Sequence, residues 1–154
     1  AMYIPRSFAQ EDRETLHGFM RQNAFASLVT VEEGRPVASH VPFLLDAERG
    51  AHGTLVGHLA RANPQWHGFA GEAMVVFWGP HGYVSPRWYA GAPNVPTWNY
   101  AVVHAYGTPR VIDDAAVALE VVRRLTDEYE RGLDRPWSVD EVPAEYTEKL
   151  LRAI

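Results

Sequence analysis

The chain has no cysteine and a single lysine, Lys149, among its 154 residues. The absence of cysteine excludes disulfides, thiolate catalysis and any zinc or iron–sulfur site held by cysteine. Acidic residues outnumber basic ones by 19 to 14, so the formal net charge is −5. A protein that binds nucleic acid irrespective of sequence needs a basic face to neutralise the phosphates. The charge therefore argues against direct DNA binding.

Long apolar runs and targeting signals are lacking as well. No apolar stretch reaches the roughly 18 residues of a transmembrane helix, and no basic segment followed by an apolar one opens the chain. We therefore expect a cytoplasmic protein with no membrane span.

Several catalytic and ligand-binding motifs are missing too. The nucleophile elbow G-x-S-x-G and the glycine-rich phosphate loops of the Walker and Rossmann kinds do not occur. The seven histidines include no pair at helical i, i+4 spacing and no H-x-H pair. We therefore expect no metal site.

Hydrophobic residues make up 47% of the sequence, enough for a sizeable core, and the length predicts one domain over 1–154. The patterning predicts helices at 8–23, 64–70 and 113–131, a last helix beginning at 140–143, and strands at 25–31, 36–46, 54–59, 73–78 and 97–112. Pro42 predicts an edge strand or a bulge, because proline cannot donate to a sheet. Consecutive short strands flanked by helices predict a mainly β fold, a small antiparallel barrel with peripheral helices. The helices of 113–154 are expected to pack on that barrel.

One stretch, Gly57–Trp66, combines a strand end with a helix start. Asn63 is a favoured N-cap residue, and Pro64 suits the first helical position. Such a junction presents backbone N–H groups to an anion, and Arg61 would add a fork for a phosphate or carboxylate. The stretch thus predicts an anion site, the alternative being that Arg61 is an ordinary solvated side chain.

Aromatic residues crowd into the second half of the chain, where Trp88, Tyr89, Trp98, Tyr100 and Tyr106 fall close together. Such a cluster is typical of a core or a subunit interface. It also suits a planar ligand stacked on an apolar wall beside a phosphate clamp.

Several long blocks resemble the PaiB family and run in family order along nearly the whole chain. These blocks are Met2–Pro5, Gly34–Pro36 with Ser39–Pro42, Gly57–Trp66, Gly79–Tyr89 and Asn94–Gly107. The resemblance implies an FMN-binding split barrel, Greek-key-like and related to pyridoxamine-phosphate oxidases and flavin reductases. It also implies a homodimer through the barrel face, with flavin sites at the subunit interface.

The resemblance also assigns cofactor-binding residues. In the wider superfamily a basic residue shortly before an Asn-Pro step clamps the FMN phosphate, and Arg61 before Asn63 matches that pattern. The same block, Gly57–Trp66, implies that His58 and Gln65 also bind the cofactor. Ser39, His40 and Val41 match the strand that passes the flavin ring, whereas Trp98, Asn99 and Tyr100 are expected to approach from the partner subunit or to build the interface.

Three functions are compatible with this resemblance. Family members are named negative transcriptional regulators, which favours an FMN-binding regulator that acts indirectly, through a metabolite or a partner protein. The alternative is an FMN-dependent oxidoreductase, for which the sequence identifies no catalytic residue. A weaker alternative is a split barrel that binds or degrades haem.

Family chains generally continue past the last helix into a further strand and a basic segment, whereas the sequence here ends at Ile154. We expect FMN binding to depend on that tail if it completes the flavin pocket, and we expect that the purified protein can lack FMN.

Overall fold

The computed structural model describes residues 2–91 and 93–154, and in these residues it has six strands and three α-helices. The strands are β1 (Phe25–Glu32), β2 (Arg35–Pro42), β3 (Leu44–Asp46), β4 (Thr54–Val56), β5 (Ala73–Val84) and β6 (Thr97–Gly107). The helices are α1 (Arg13–Gln22), α2 (Ala115–Glu130) and α3 (Ala144–Leu151). Four short 3-10 helices span Arg6–Phe8, Pro64–Gly68, Pro86–Trp88 and Val139–Glu141. Positions 1 and 92 lie outside the described residues.

Four strands form an antiparallel sheet in the order β2-β1-β5-β6, and β3 pairs with β4 in a separate two-stranded sheet. The antiparallel, mainly β architecture with peripheral helices is the one that the sequence predicts. In the described part of the chain, no helix is long and apolar enough to cross a membrane.

The predicted strand 36–46 is divided in the structure into β2 and β3. The division falls at Phe43, whose backbone N–H still donates to the carbonyl of Ala24 at 2.9 Å, one step beyond the last paired residues Phe25 and Pro42. Pro42, which has no N–H to donate, ends β2 at the sheet edge.

Strand β5 continues six residues beyond the predicted end at Trp78, because a bulge between Trp78 and His81 carries it past Gly79-Pro80. Beyond the bulge, residues 81–84 of β5 pair only with residues 97–100 of β6. We call this extension, residues 81–84 and 97–100, the arm.

Alternation along the strands gives the four-stranded sheet two different faces. The inner face carries the buried side chains of Ala26, Leu28, Val75 and Phe77, which pack against Met20 of α1. The outer face carries one row of directly paired residues from all four strands, His40, Ser27, Val76 and His104. Phe25, Trp78 and Tyr106 lie on this outer face and are exposed.

Aspartate caps set the starts of two helices. Asp12 accepts the N–H of Thr15, which begins α1 later than the predicted residue 8. Asp114 accepts the N–H groups of Ala116 and Val117 at the start of α2, as predicted. A half-buried ion pair between Arg124 of α2 and Asp46 of β3 holds α2 against the two-stranded sheet.

Gln65 is the polar residue that fixes the 3-10 helix Pro64–Gly68 to the sheet. Its side chain is fully buried, and its Nε2 donates to the carbonyls of Leu28 and Val37 and to Oγ1 of Thr30, at 3.0–3.2 Å. A buried amide that loses these partners leaves acceptors on two strands without donors, which is costly in free energy. Gln65 thus joins β1, β2 and the helix in one network.

We expect Gln65→Met to lower the free energy of unfolding by about 1–3 kcal/mol, because methionine is similar in size but donates no hydrogen bond. Urea denaturation would measure the loss. Gln22→Met, at an exposed position of α1, is the matched control and should change stability little. Equal stability of the two variants would contradict an anchoring role for Gln65.

Candidate functional site

The stretch Gly57–Trp66, here called the 57–66 segment, lies directly against the end of β2. A Cβ at Gly57 would come within 3.1–3.2 Å of the Pro42 carbonyl oxygen and the side chains of Val41 and Phe43. Glycine at this position therefore lets the chain pass close to β2. Its residues His58 and Arg61 are thereby held beside the inner face of the sheet.

Asn63 fixes the other end of the segment. Its Oδ1 accepts the N–H of Gln65 at 3.0 Å, the N-cap contact that the sequence predicts, and its Nδ2 donates to Oγ of Ser39 at 2.8 Å. Trp66 Nε1 donates to the Arg61 carbonyl at 3.1 Å. Ser39, Asn63 and Gln65 thus form the polar frame that positions Arg61.

The backbone amides of the segment are less available to an anion than the sequence suggests. The N–H of Arg61 donates to the Ala153 carbonyl at 2.7 Å, that of Asn63 to Ala60, and that of Gln65 to the Asn63 side chain. The following helix is also a 3-10 helix of five residues rather than the predicted 64–70. The attraction for an anion therefore rests on the Arg61 guanidinium.

That guanidinium already holds a carboxylate. Arg61 Nη2 lies 2.8 Å from Oδ1 of Asp113 and 3.3 Å from the Ile154 carbonyl oxygen. The hydrogen bond and the charge of Asp113 raise the pKa of Arg61, and those of Arg61 lower the pKa of Asp113. Both side chains are largely exposed, so the pair is accessible to a competing anion.

Arg61 lines a large cavity of about 1460 Å³ beneath the inner face of the sheet. Much of its lining is apolar, including Val41, Phe43, Leu55, Val75, Val103 and Val121. His58 and Trp66 also line it. Small-molecule sites are typically apolar cavities with a few polar groups, and this cavity has that character.

His58 is a half-buried titratable residue of this lining. Burial lowers its pKa, which keeps the imidazole neutral at pH 7. Its Nδ1 is buried and has no hydrogen-bond partner among the described residues. A polar atom of a bound molecule could supply the missing hydrogen-bond partner of this nitrogen.

The chain does not bring all of the predicted site residues together. Val41, His58 and Arg61 line the cavity, and Ser39, Asn63 and Gln65 form the frame beside it. His40 lies on the outer face, where its Nδ1 is 3.1 Å from Oγ of Ser27. Trp98, Asn99 and Tyr100 lie on the arm and are exposed.

Asp113, which lines the cavity and pairs with Arg61, is not among the predicted site residues. The sequence marks Asp113 only as part of a helix cap, whereas Asp114 alone makes the capping contacts. A helix start needs only one capping aspartate, so the second of two adjacent aspartates is available for another contact. That surplus carboxylate is the signal that could have identified Asp113.

Comparison with known proteins shows which family this chain resembles. The family described as "Putative FMN-binding domain" matches residues 2–154. The protease synthase and sporulation protein PAI 2 of Bacillus subtilis is 37% identical over 155 residues, which cover 99% of this chain and 73% of that protein.

Two solved structures share the fold. The flavocytochrome Anf3 from Azotobacter vinelandii matches with a TM-score of 0.67 and 21% identity over 95% of this chain. The FAD and heme binding protein from Mycobacterium smegmatis matches with a TM-score of 0.63 and 23% identity over 94% of this chain. The chain spans 64% and 63% of the lengths of those two proteins. The split-barrel fold predicted from the sequence is confirmed.

The match along residues 2–154 and the identity with the Bacillus subtilis protein agree with the blocks that suggested this family from the sequence. The chain belongs to the PaiB family of FMN-binding-domain proteins.

Proposed function

We propose that this protein binds FMN, with the flavin phosphate at Arg61 and the ring system on the apolar wall of the adjoining cavity. The observation that carries the proposal is the oxyanion already bound by Arg61, the carboxylate of Asp113. A guanidinium that pairs with a carboxylate can pair with a phosphate in the same manner.

The residues present fit a flavin. The cavity of about 1460 Å³ exceeds the roughly 300–1,000 Å³ of common small-molecule sites, so space does not limit the ligand. The apolar lining suits an isoalloxazine ring, and the orphaned Nδ1 of His58 suits one of its polar atoms. Ser39 and Asn63 hold the segment that carries Arg61 in place.

When bound, a flavin supplies electron or hydride transfer. The role of this chain is then to bind the phosphate, to exclude water from the ring with its apolar wall, and to present the neutral His58 imidazole to the ligand. As a PaiB-like protein, it is proposed to regulate transcription indirectly, through a metabolite or a partner protein. The net charge of −5 gives no support for direct contact with DNA.

An oxidoreductase is the second candidate, favoured by a cavity of about 1460 Å³, which is larger than common small-molecule sites of roughly 300–1,000 Å³ and leaves room for a substrate. Oxidation of NADH or NADPH by the FMN-loaded protein would support it. A Soret band on addition of haem, with no retention of FMN, would instead favour the haem-binding alternative.

We expect Arg61→Ala to weaken FMN binding by about 10- to 100-fold, because a charged hydrogen bond to phosphate is lost. Riboflavin, which has no phosphate, should bind with unchanged affinity. Quenching of flavin fluorescence would measure both.

Arg123→Ala is the matched control, because Arg123 is in a similarly exposed ion pair, with Asp140. It should leave both affinities unchanged. If Arg61→Ala binds FMN as tightly as the unaltered protein, the phosphate does not contact Arg61.

We also propose that the protein is a homodimer formed through the outer face of the sheet and the arm. Trp98 and Tyr100 of the arm are 60% and 65% exposed, and Phe25 and Trp78 of the outer face are 68% and 62% exposed. Exposed aromatic residues in this number are typical of an interface. A dimer through these surfaces would cover Trp98 and Tyr100, which a single chain leaves exposed.

We expect light scattering to give twice the chain mass of 17.3 kDa for the unaltered protein. Trp98→Asp should give the mass of one chain, because a charge in the centre of an aromatic interface is costly. Tyr146→Asp, at an exposed aromatic position of α3, should remain dimeric. A single-chain mass for the unaltered protein would contradict the dimer.

A further inference from the structure

Two adjacent aspartates at the start of α2 have separate tasks. Asp114 caps the helix, since its Oδ1 accepts the N–H groups of Ala116 and Val117. Among the described residues, the Asp113 side chain makes no hydrogen bond to that helix end and instead accepts one from Arg61, 52 residues away in sequence. The Asp113 carboxylate is therefore not needed for the helix cap.

The contact made by Asp113 occupies part of the Arg61 fork. The single nitrogen Nη2 serves both Asp113 at 2.8 Å and the Ile154 carbonyl at 3.3 Å. A phosphate bound to Arg61 would have to take these donors or lie beside a carboxylate of the same charge. In either arrangement the carboxylate opposes the phosphate.

We propose that Asp113 is an internal competitor for the anion site, which lowers the affinity of Arg61 for a phosphate-bearing ligand and thereby sets how strongly the site selects FMN over riboflavin. The inference rests on the proposed binding of FMN at Arg61. It identifies Asp113 as a residue that determines specificity through Arg61 rather than by contact with the flavin ring.

The exposure of the pair determines the size of the effect. The Arg61 and Asp113 side chains are 49% and 73% exposed, so solvent screens their interaction. Removing one exposed charge next to a phosphate should change the affinity by a few-fold rather than by orders of magnitude.

The experiment is a titration of FMN and of riboflavin, followed by quenching of flavin fluorescence, with the unaltered protein and Asp113→Asn. The asparagine keeps the shape and a hydrogen-bond acceptor but removes the charge. We expect the Kd for FMN to fall about two- to fivefold and the Kd for riboflavin to stay unchanged. Asp113→Ala, which removes the acceptor as well, should tighten FMN binding at least as much.

Asp140→Asn is the matched control, because Asp140 is in the exposed ion pair with Arg123. It should change neither affinity. In an Arg61→Ala background, Asp113→Asn should change the ratio of the FMN and riboflavin affinities less than in the unaltered protein, because the competition for the guanidinium is gone and only the repulsion between the two anions is removed.

The outcomes separate this inference from the proposed function. If FMN binds and Asp113→Asn leaves its Kd unchanged, the competition is refuted and the flavin site stands. Weaker FMN binding by Asp113→Asn would also refute it, since Asp113 would then orient Arg61 for the phosphate. If neither protein binds FMN or riboflavin, both the flavin site and the competition are refuted.

Discussion

The candidate site depends on the buried side-chain amide of Gln65. By donating to the carbonyls of Leu28 and Val37 and to the Thr30 hydroxyl, it fixes the 57–66 segment to two strands of the sheet. Breaking these buried hydrogen bonds would leave acceptors on both strands without donors, which is costly in free energy. Arg61 comes just before this anchor, and its position over the cavity follows from it.

The part of the site that is local in sequence could be predicted. Asn63 and Pro64 mark a helix start because capping depends on residues close in the chain. The affinity of Arg61 for an oxyanion could be predicted from its guanidinium. Which oxyanion it binds in the fold could not be predicted. Asp113 meets Arg61 only because the fold returns the chain to the same place, and no local pattern encodes that return.

The strand pattern shows the same division between local and tertiary effects. Pro42 correctly predicts an edge strand, since β2 lies at the edge of the sheet, whereas Gly79-Pro80 interrupts β5 with a bulge instead of ending it. Pairing with β6 outweighs the local signal there and produces the arm. Gln65 is a further case, because its burial depends on three acceptors more than 25 residues distant. The arm and the anchoring role of Gln65 thus depend on tertiary contacts, which local sequence patterns do not reveal.

The central claim is that the frame around Arg61 forms a flavin site, and the visible absorbance spectrum tests it most directly. The spectrum would be recorded on the purified protein, and again after incubation with FMN and removal of free flavin by desalting. A flavin site at Arg61 predicts flavin absorbance that stays with the protein after desalting. Absence of flavin absorbance in both spectra would contradict it.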